Sequence, residues 1–475
     1  MGVGLKFERS IFYGGAGKLV EAHRGLKRTN TFTVESHPAL QELADSCARL
    51  WNEVNFERRQ AYIHYRRFSW YPKHLYRKYA PIIGSATAQQ IINKNNEAWR
   101  SFFKLKRLEA QGGLPPHIAR VSMPRYWKRN GRRELRIVFR KDCYRLEDGF
   151  LLLPKGLKLR VKGRLRWKGR QGRLELIYDD VDRVWRGFMT VEVEKPPLRG
   201  GSKPLYIDLG VINLATVWFE GLRRPIVFSG RSVLADWWYW TRKISKEQSR
   251  LAKVNRARTS RRLKKLFRVR KRRFRHAVNA MVKAIIEDAS QLGISRIILG
   301  DLKGIGENNH HNSKANSMIH NFWSFQYITK RFKDKAEEYG IKVVEVDERK
   351  TSTTCPRCGS DRTVKQGGLF KCLSCRVEAH RDAVGALNIG LAQGAKLPAG
   401  AINGAMTRPL LLRWNGMRWE PKRAMNTGPM NTLEARISPL KWGECQRHIG
   451  FAVPRLRSRR MEAYGFGFGC AGHNY

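Results

Sequence analysis

Acidic residues are scarce in this chain relative to basic ones. Its 475 residues include 40 Asp and Glu against 93 Lys and Arg, which gives a formal net charge of +53. A charge of this size attracts polyanions, and a protein whose ligands are small acidic molecules would not need it. Nucleic acid is therefore the expected partner, ahead of an anionic membrane.

Long apolar runs are also missing. No stretch of about 18 apolar residues occurs, so we expect no transmembrane helix and no membrane partner. The N-terminus lacks the apolar segment of a secretory signal, so we expect a cytoplasmic protein. The chain nevertheless contains 42% hydrophobic residues and 14 Trp, which is enough apolar surface for folded cores.

Cysteines are few, and their spacing is informative. Eight cysteines in a chain of this length do not suggest a disulfide scaffold. Four of them form two Cys-x-x-Cys pairs, Cys355 with Cys358 and Cys372 with Cys375. This is the spacing of a zinc ribbon, in which two tight turns bring four thiolates to one Zn²⁺ ion. Because four cysteines leave no open coordination position, we expect the zinc to be structural rather than catalytic.

The sequence changes texture several times along the chain. Residues Leu40 to Val54 have apolar side chains at helical spacing, whereas short alternating runs between 118 and 197 are typical of strands. We therefore expect a disordered arm over 1–25, a β-rich module over 26–35 and 114–200, a helical domain over 36–113, an α/β domain over 201–350 and 379–394, a cysteine ribbon over 351–378 and a disordered tail over 395–475.

Two strongly basic helices are predicted, over about 236–258 and 260–291. Residues 241–276 contain 17 Lys and Arg and one acid, Glu247. A solvated helix normally mixes both signs, so this composition favours a surface that follows nucleic-acid phosphates. The cations that we expect to contact nucleic acid are Arg261, Arg262, Lys264, Lys265, Arg268, Lys271, Arg272 and Arg273.

Aromatic residues near the N-terminal helices could stack on bases. Trp51 lies on the apolar stripe of the first helix, so core packing is its expected role. Trp70 and Tyr71 do not follow that period, and we expect these two residues to contact nucleic acid.

Two aspartates lie where a nuclease needs them. Asp208 ends the buried-strand pattern that begins at Leu205, and Asp382 precedes an apolar helix pattern. Nuclease sites of the two-metal type hold divalent ions about 3.5–4 Å apart between acidic side chains and the scissile phosphate. Mg²⁺ suits carboxylate and water ligands. Either aspartate alone would more often be structural, but both together with the ribbon form a specific pattern.

The order of these motifs resembles the TnpB family of transposon-encoded RNA-guided nucleases, which are similar to the compact type V CRISPR effectors. The match covers about 203–390. Its motifs are Ile207-Asp208-Leu209-Gly210, Trp323-Ser324-Phe325, Ala336 to Ile341, Thr351-Ser352 before the first cysteine pair, and Arg381-Asp382 with Ala386 and Asn388.

The resemblance implies an α+β multidomain fold. An RNase H-like (RuvC) α/β domain would contain the inserted zinc ribbon, beside a β-barrel-like wedge module with a helical recognition insert. It also implies a prokaryotic, DNA-associated endonuclease with structural Zn²⁺, two catalytic Mg²⁺ ions and a guide RNA. Pairing of that RNA with double-stranded target DNA would supply sequence specificity, while the protein reads a short adjacent motif. Asp208 and Asp382 would be the first and last RuvC carboxylates.

The middle carboxylate departs from the family pattern. Gly300 stands where the family usually has Glu. Asp301 follows it, but neighbouring strand residues point to opposite faces. We expect Glu348, at the end of the next strand, to be the third carboxylate and Mg²⁺ ligand. Asp301 or Glu345 in this role, or an inactive site, are the alternatives.

The missing Glu motivates a second hypothesis, a guided DNA-binding repressor that does not cut. A sugar-kinase or actin-like ATPase is a third, because Ile-Asp-x-Gly also opens that fold, but no Thr-rich phosphate loop follows it. In the TnpB family the guide-RNA gene often overlaps the end of the reading frame. Truncation after about residue 394, with RNA supplied separately, is therefore expected to leave cleavage intact.

Overall fold

The computed structural model describes several parts of the chain. These parts are residues 25–115, 118–129, 131–201, 203–220, 222, 224–255, 258–301, 318, 322, 324–347, 353–397 and 408–421. The arm expected over 1–25 lies outside the described residues, apart from Gly25. No helix in the described part of the chain is both long and apolar enough to span a bilayer.

Strands from both sides of the helical domain share one antiparallel sheet. β1 (Leu26–Val34), which precedes the helical domain in the sequence, pairs along its whole length with β9 (Val184–Val193), which follows that domain. The other strands are β4 (Arg136–Phe139), β5 (Arg145–Glu147), β6 (Phe150–Leu152), β7 (Lys158–Lys162) and β8 (Arg170–Asp179). Their order is β4-β8-β9-β1-β7-β6-β5. A short hairpin is formed by β2 (Lys128–Arg129) and β3 (Arg132–Arg133), and a 3₁₀ turn covers Pro154–Gly156.

Three helices follow β1: α1 (Pro38–Tyr65), α2 (Lys73–Ile83) and α3 (Ser85–Ala110). The His37 side chain accepts a hydrogen bond from the Ala39 N–H, and Pro38 occupies the first helical position, where no backbone donor is lost. Arg66 ends α1 in the left-handed conformation, at φ 56°. The apolar stripe of α1 is buried and continues into the core of the sheet.

A second seven-stranded sheet forms the rest of the fold. Its strands are β10 (Pro204–Asp208), β11 (Asn213–Phe219), β12 (Ile226–Ser229), β13 (Arg296–Asp301), β14 (Lys342–Asp347), β18 (Leu410–Trp414) and β19 (Trp419–Pro421). They lie in the order β14-β13-β10-β11-β12-β18-β19. β11 and β19 run antiparallel to their neighbours, and the other pairs are parallel.

Alternation along these strands gives the sheet two apolar faces. Leu205, Ile207 and Leu299 belong to the core that covers one face with α4 (Arg231–Asn255), α5 (Arg261–Gln291) and α6 (Phe325–Glu337). Tyr206 and Ile298 lie on the other face, under α7 (Arg381–Ala392). Asp208 and Gly300 continue this second face at the ends of β10 and β13.

Three short strands precede α7 and form the ribbon. They are β15 (Thr363–Gln366), β16 (Leu369–Cys372) and β17 (Glu378–His380), in a sheet of order β15-β16-β17. β14 comes before this small sheet in the sequence and α7 comes after it. The ribbon is therefore an insertion between two elements that pack on the same large sheet.

Part of the expected disordered tail is folded, which corrects the prediction for residues 408–421. β18 pairs in parallel with β12, and β19 returns beside β18. The indole Nε1 of Trp419 donates to the Ala277 carbonyl on α5 at 3.0 Å, and Leu412 and Trp414 are buried. These strands are too short to show a clear period in a Gly- and Pro-rich context, so the sequence did not reveal them. Residues 398–407 and 422–475 lie outside the described residues.

Candidate metal centres and nucleic-acid interface

Four thiol groups converge in the ribbon. The Sγ atoms of Cys355, Cys358, Cys372 and Cys375 lie within 4.8 Å of one another, and two of the pairs are 3.6 Å apart. Four sulfurs placed tetrahedrally at about 2.3 Å from zinc are separated by about 3.8 Å, so the cluster fits Zn²⁺. It is the one group of three or more His, Cys, Asp or Glu with such geometry among the described residues. The four-cysteine cluster predicted from the spacing is confirmed.

Backbone donors favour the thiolate form that zinc requires. The Cys375 N–H points at Cys372 Sγ at 3.5 Å. This hydrogen bond and its neighbour from the Ser374 N–H lower the pKa of the Cys372 thiol to about 6. The turn between the first two cysteines closes through Gly359, whose φ of 71° is available to glycine without strain.

The ribbon is anchored directly to α7. Val384 of α7 packs in the same core as Cys355, Cys372 and Phe370. Asn388 Nδ2 donates to the Thr354 carbonyl at 2.7 Å, next to the first cysteine. A zinc ion held by the cysteines would therefore stabilise the helix that begins with Arg381-Asp382.

Asp208 and Asp382 lie on adjoining elements. Asp208 ends β10, and Asp382 lies in the first turn of α7. A Cβ added to Gly385 would lie 2.4 Å from Asp208 Oδ2, so the helix passes directly against this carboxylate. Gly385 is one turn after Asp382 and on the same side of the helix. The fold therefore brings both predicted aspartates to one corner of the molecule.

The Asp382 carboxylate is oriented by two neighbours. Asn213 Nδ2 donates to Asp382 Oδ2 at 2.6 Å, and Arg381 Nε donates to Oδ1 at 3.0 Å. Asn213 is the first residue of β11, the strand paired with β10. Sequence reasoning missed Asn213 and Gly385, because their roles depend on how distant segments meet. The Gly in an apolar helix was the available signal for a close approach.

The candidates for the third carboxylate differ in the face of the sheet on which they lie. Ile207 is in register with Leu299, so Gly300 is the β13 residue beside Asp208. Alternation puts Asp301 on the opposite face, towards α5 and α6. Glu345 also lies on that opposite face, where it forms an ion pair with Lys333 of α6. Neither residue joins Asp208 and Asp382, whereas Glu348 lies outside the described residues.

Five of the eight α5 cations that are predicted to contact phosphates also bind groups of the protein itself. Three of them reach the turn between β8 and β9. Hydrogen bonds of 2.6–3.1 Å join Arg268 to Asp179 and Asp182, Lys264 to Asp180, and Arg261 to the Val181 carbonyl. Two more pair with acids of α4, Arg262 with Glu247 and Arg273 with Asp236. Glu247, the single acid of the basic stretch, is only 4% exposed.

Lys265, Lys271 and Arg272 form the remaining part of the predicted set. All three are exposed. They make no ion pair with the part of the chain that the structure describes. The sequence could not distinguish these three cations from the other five, because the groups that bind the five lie on other elements.

Trp70 and Tyr71 are exposed by 41% and 43%. Their loop is held by Arg58, a buried residue of α1 that sequence reasoning missed. Its guanidinium donates to the Ser69 and Trp70 carbonyls at 3.2 and 2.8 Å and to Asn95 Oδ1 at 2.7 Å. Burial lowers the pKa of Arg58 to about 10, which leaves it charged at neutral pH. Trp51 is 5% exposed and stacks on Trp127 at 4.4 Å, so its predicted core role is confirmed.

Comparison with known proteins finds two family models on this chain. Residues 188–306 match a family described as probable transposase (OrfB_IS605), and residues 325–389 match the Cas12f1-like TNB domain. The second match contains the four cysteines and Asp382.

Two curated relatives and one solved structure show the extent of the similarity. The TnpB-like protein ORF457 of Acidianus two-tailed virus is 32% identical over 407 residues, which cover 78% of this chain and 86% of that relative. The CRISPR-associated endodeoxyribonuclease Cas12f1 of Sulfoacidibacillus thermotolerans is 31% identical over 120 residues, 25% of this chain and 27% of that protein. The structure of a Cas12f1–sgRNA–target DNA complex aligns with a TM-score of 0.45 and 14% identity, over 74% of this chain and 82% of that one.

Proposed function

The chain belongs to the TnpB family, and from that membership we propose that it is an RNA-guided DNA endonuclease with a two-metal RuvC centre. The observation that carries the proposal is the close approach of Asp208 to Gly385, one helical turn after Asp382. Two carboxylates at one corner of a sheet, one of them fixed by Asn213, are the ligand type that Mg²⁺ prefers. Ions bound there would activate the attacking water and stabilise the leaving oxygen.

The strand arrangement supports an RNase H-like (RuvC) fold for this domain. In β14-β13-β10-β11-β12, β11 alone runs against the other four strands. Asp208 ends the central strand, and Asp382 begins a helix that crosses it. We assign the β1–β9 sheet to the wedge module and α1–α3 to the recognition domain of this family.

We propose Glu348 as the third carboxylate. Val346 packs with the residues of the Asp208 face, and Glu348 follows it by two residues. Period-two alternation along a strand would return residue 348 to that same face. Asp301 and Glu345 lack this support, since both occupy strand positions on the opposite face.

Guide RNA and target DNA are the proposed partners. The net charge of +53 and the exposed cations of α5 support binding to two nucleic acids at once. Base pairing would supply the sequence specificity, and the protein would read a short adjacent motif. A transposon as the genetic origin follows from the family. The curated relative Cas12f1, whose name describes an endodeoxyribonuclease, supports DNA as the substrate.

The second candidate is an RNA-guided repressor that binds DNA without cutting it. Gly300 favours it, because the side chain beside Asp208 on β13 is absent. The two candidates share every binding partner and differ only in chemistry at the carboxylates.

The test is to co-express the chain with its flanking locus, sequence the RNA that copurifies, and add matching duplex DNA with Mg²⁺. Cutting that is lost in Asp208→Ala and in Glu348→Ala would establish the nuclease and its third carboxylate. Retention of DNA without cutting would make the protein a repressor. Absence of bound RNA would overturn guidance by RNA.

A further inference from the structure

A groove of about 630 Å³ lies at one end of the helical domain, away from the carboxylates. Its walls are the last turns of α1 and α3 and the extended segment 120–125. Arg59, Tyr62, Ile63 and Arg66 line it from α1, and their spacing places them along one face of that helix. Its size falls within the range of small-ligand clefts, about 300–1,000 Å³.

Hydrogen bonds hold the walls of the groove in place. Trp51 Nε1 donates to the Arg125 carbonyl at 3.1 Å, and Asn55 Nδ2 donates to the Pro124 carbonyl at 2.9 Å. The Val121 N–H donates to Glu109 on α3 at 3.4 Å. The extended segment is therefore fixed to both helices, and a ligand would meet a preformed site.

The charge of the groove selects an anion. Five cationic side chains and one carboxylate line it. The carboxylate, Glu109, is bound to Lys106 at 2.7 Å. Arg66, Arg120 and Arg125 are exposed and make no ion pair with the described residues. Three guanidinium groups are thus available to bind phosphates, which they recognise in a bidentate manner.

The floor of the groove suits a flat ring. Tyr62 contributes aromatic surface above the buried Phe102, and Ile63, which is 47% exposed, adds apolar surface. The Arg66 guanidinium lies over the Tyr62 ring at 5.4 Å. Proteins bind the splayed bases of single strands by stacking them on aromatic rings or on guanidinium planes.

We infer that this groove binds an unpaired nucleotide, with its base against Tyr62, Ile63 and the Arg66 guanidinium and the adjoining phosphates on Arg120 and Arg125. A paired base cannot reach the floor, because its faces are covered by neighbouring base pairs. The inference rests on the proposed function in one respect, which is whether the nucleotide belongs to the guide RNA or to the target DNA. The binding chemistry is independent of whether the carboxylates cut.

The first measurement is the affinity of the full-length protein for a fluorescein-labelled oligothymidylate as a function of salt. Arg120→Gln with Arg125→Gln should weaken binding about 10-fold and lower the salt slope by about 1.4, since each single-strand phosphate contact contributes about 0.7. The matched control is Lys104→Gln with Arg107→Gln, which removes the same charge from exposed positions of α3 outside the groove. An equal loss in both pairs would overturn the inference.

The base contact has its own variants. Tyr62→Leu should weaken oligothymidylate binding about 10-fold with no change in salt slope, and Tyr62→Phe should restore it, because the ring and not the hydroxyl stacks. Poly-glutamate is the competing probe. If Tyr62→Leu weakens poly-glutamate binding as much as oligothymidylate binding, the groove binds anions in general and the nucleotide assignment is wrong.

Photo-crosslinking of the RNA-bound complex identifies the strand. Guide RNA carrying 4-thiouridine or target DNA carrying 4-thiothymidine should crosslink to peptides that contain residues 59–66 or 120–126. Crosslinks from neither strand in a complex that still binds its target would overturn the inference and leave the proposed function standing. If no RNA copurifies but oligothymidylate binding falls in the groove variants, the proposed function fails and the groove remains a nucleotide site.

Discussion

Gly385 decides how closely the helix carrying Asp382 approaches Asp208. An added Cβ would lie 2.4 Å from the Asp208 carboxylate oxygen, closer than van der Waals contact allows. Gly390, five residues later on the same helix, makes a similar approach to the Trp218 ring at 2.6 Å. The two glycines therefore allow α7 to lie close to the sheet, one at the candidate site and one in the core.

We expect Gly385→Ala to lower the guided cleavage rate about 100-fold, since displacing a reacting group by about 1 Å costs about this factor. Binding of the RNA-loaded protein to its target should not change. The matched control is Gly390→Ala, which should lower the melting temperature while the folded fraction still cuts. Wild-type cleavage by Gly385→Ala would show that Asp208 does not need its observed position.

The fold lowers the pKa of the Asp179 carboxyl, which lies at the end of β8. Burial alone would raise its pKa, but hydrogen bonds from Arg268 and Arg186 hold the pKa well below its usual range. Its side chain is 8% exposed. A carboxyl with a lowered folded-state pKa adds stability above its unfolded pKa, about 3.9, and that stability is lost as the pH falls further.

Asp179→Asn should therefore reduce the free energy of unfolding by about 1–3 kcal/mol at pH 7. The difference from wild type should shrink as the pH falls below about 4. Thermal melts of both proteins between pH 7 and pH 3 measure this. Asp180→Asn is the control, because Asp180 is 50% exposed and, among the described residues, pairs with Lys264 alone at 3.1 Å. A constant difference across the pH range would contradict the assignment.

At the scale of elements, α5 combines two surfaces that the sequence presents as one. Arg261, Lys264 and Arg268 hold the β8–β9 turn, whereas Lys265, Lys271 and Arg272 face solvent. Both sets carry three positive charges. The difference between them arises from acids that lie far away in sequence.

Replacing Lys265, Lys271 and Arg272 by Ala should lower the salt slope of nucleic-acid binding by about 2–3, since each lost phosphate contact removes about 0.7–0.9. Replacing Arg261, Lys264 and Arg268 by Ala should leave the slope nearly unchanged and lower the melting temperature instead. Filter binding across a salt series and thermal melts of both triple variants test this. Equal slopes for the two variants would show that the cations bound to the turn contact nucleic acid as much as the unpaired ones do.

The ribbon and α7 behave as a coupled pair because Val384 and Asn388 contact the ribbon. The purified protein should contain one zinc per chain, and Cys372→Ser should contain none. Hydrogen exchange over 381–392 should speed up in that variant, since α7 loses its anchor. Cys143→Ser is the control, as Cys143 lies outside the cluster. Loss of zinc without faster exchange in α7 would show that the helix is held by the sheet alone.

At the scale of the whole molecule, the hairpin β18–β19 closes the β12 edge of the large sheet. Truncation after residue 421 should preserve melting temperature and cleavage when the RNA is supplied separately. Truncation after residue 397 removes the buried residues Leu412 and Trp414 and should lower the melting temperature by at least about 5 °C. Equal melting temperatures would contradict a structural role for this hairpin. The sequence predicts that truncation after about residue 394 is harmless. From the position of this hairpin we expect that truncation to impair the protein.

The features that could be predicted from the sequence are those whose signal is local. Cysteine spacing predicted the metal cluster, and local sequence patterns predicted the start of α1 and the two basic helices. Asp208 could be placed at a strand end and Asp382 at a helix start, because each follows from its immediate neighbours.

Features that depend on distant segments became apparent only in the folded structure. The fold separates the paired cations of α5 from the unpaired ones, puts Asp301 and Glu345 on the face opposite Asp208, and places residues 408–421 in the large sheet. Charge, register and edge pairing are relations between elements that lie far apart in the chain. A single sequence gives the residues that take part in such relations, but which of them meet is fixed only when the sheets and helices pack.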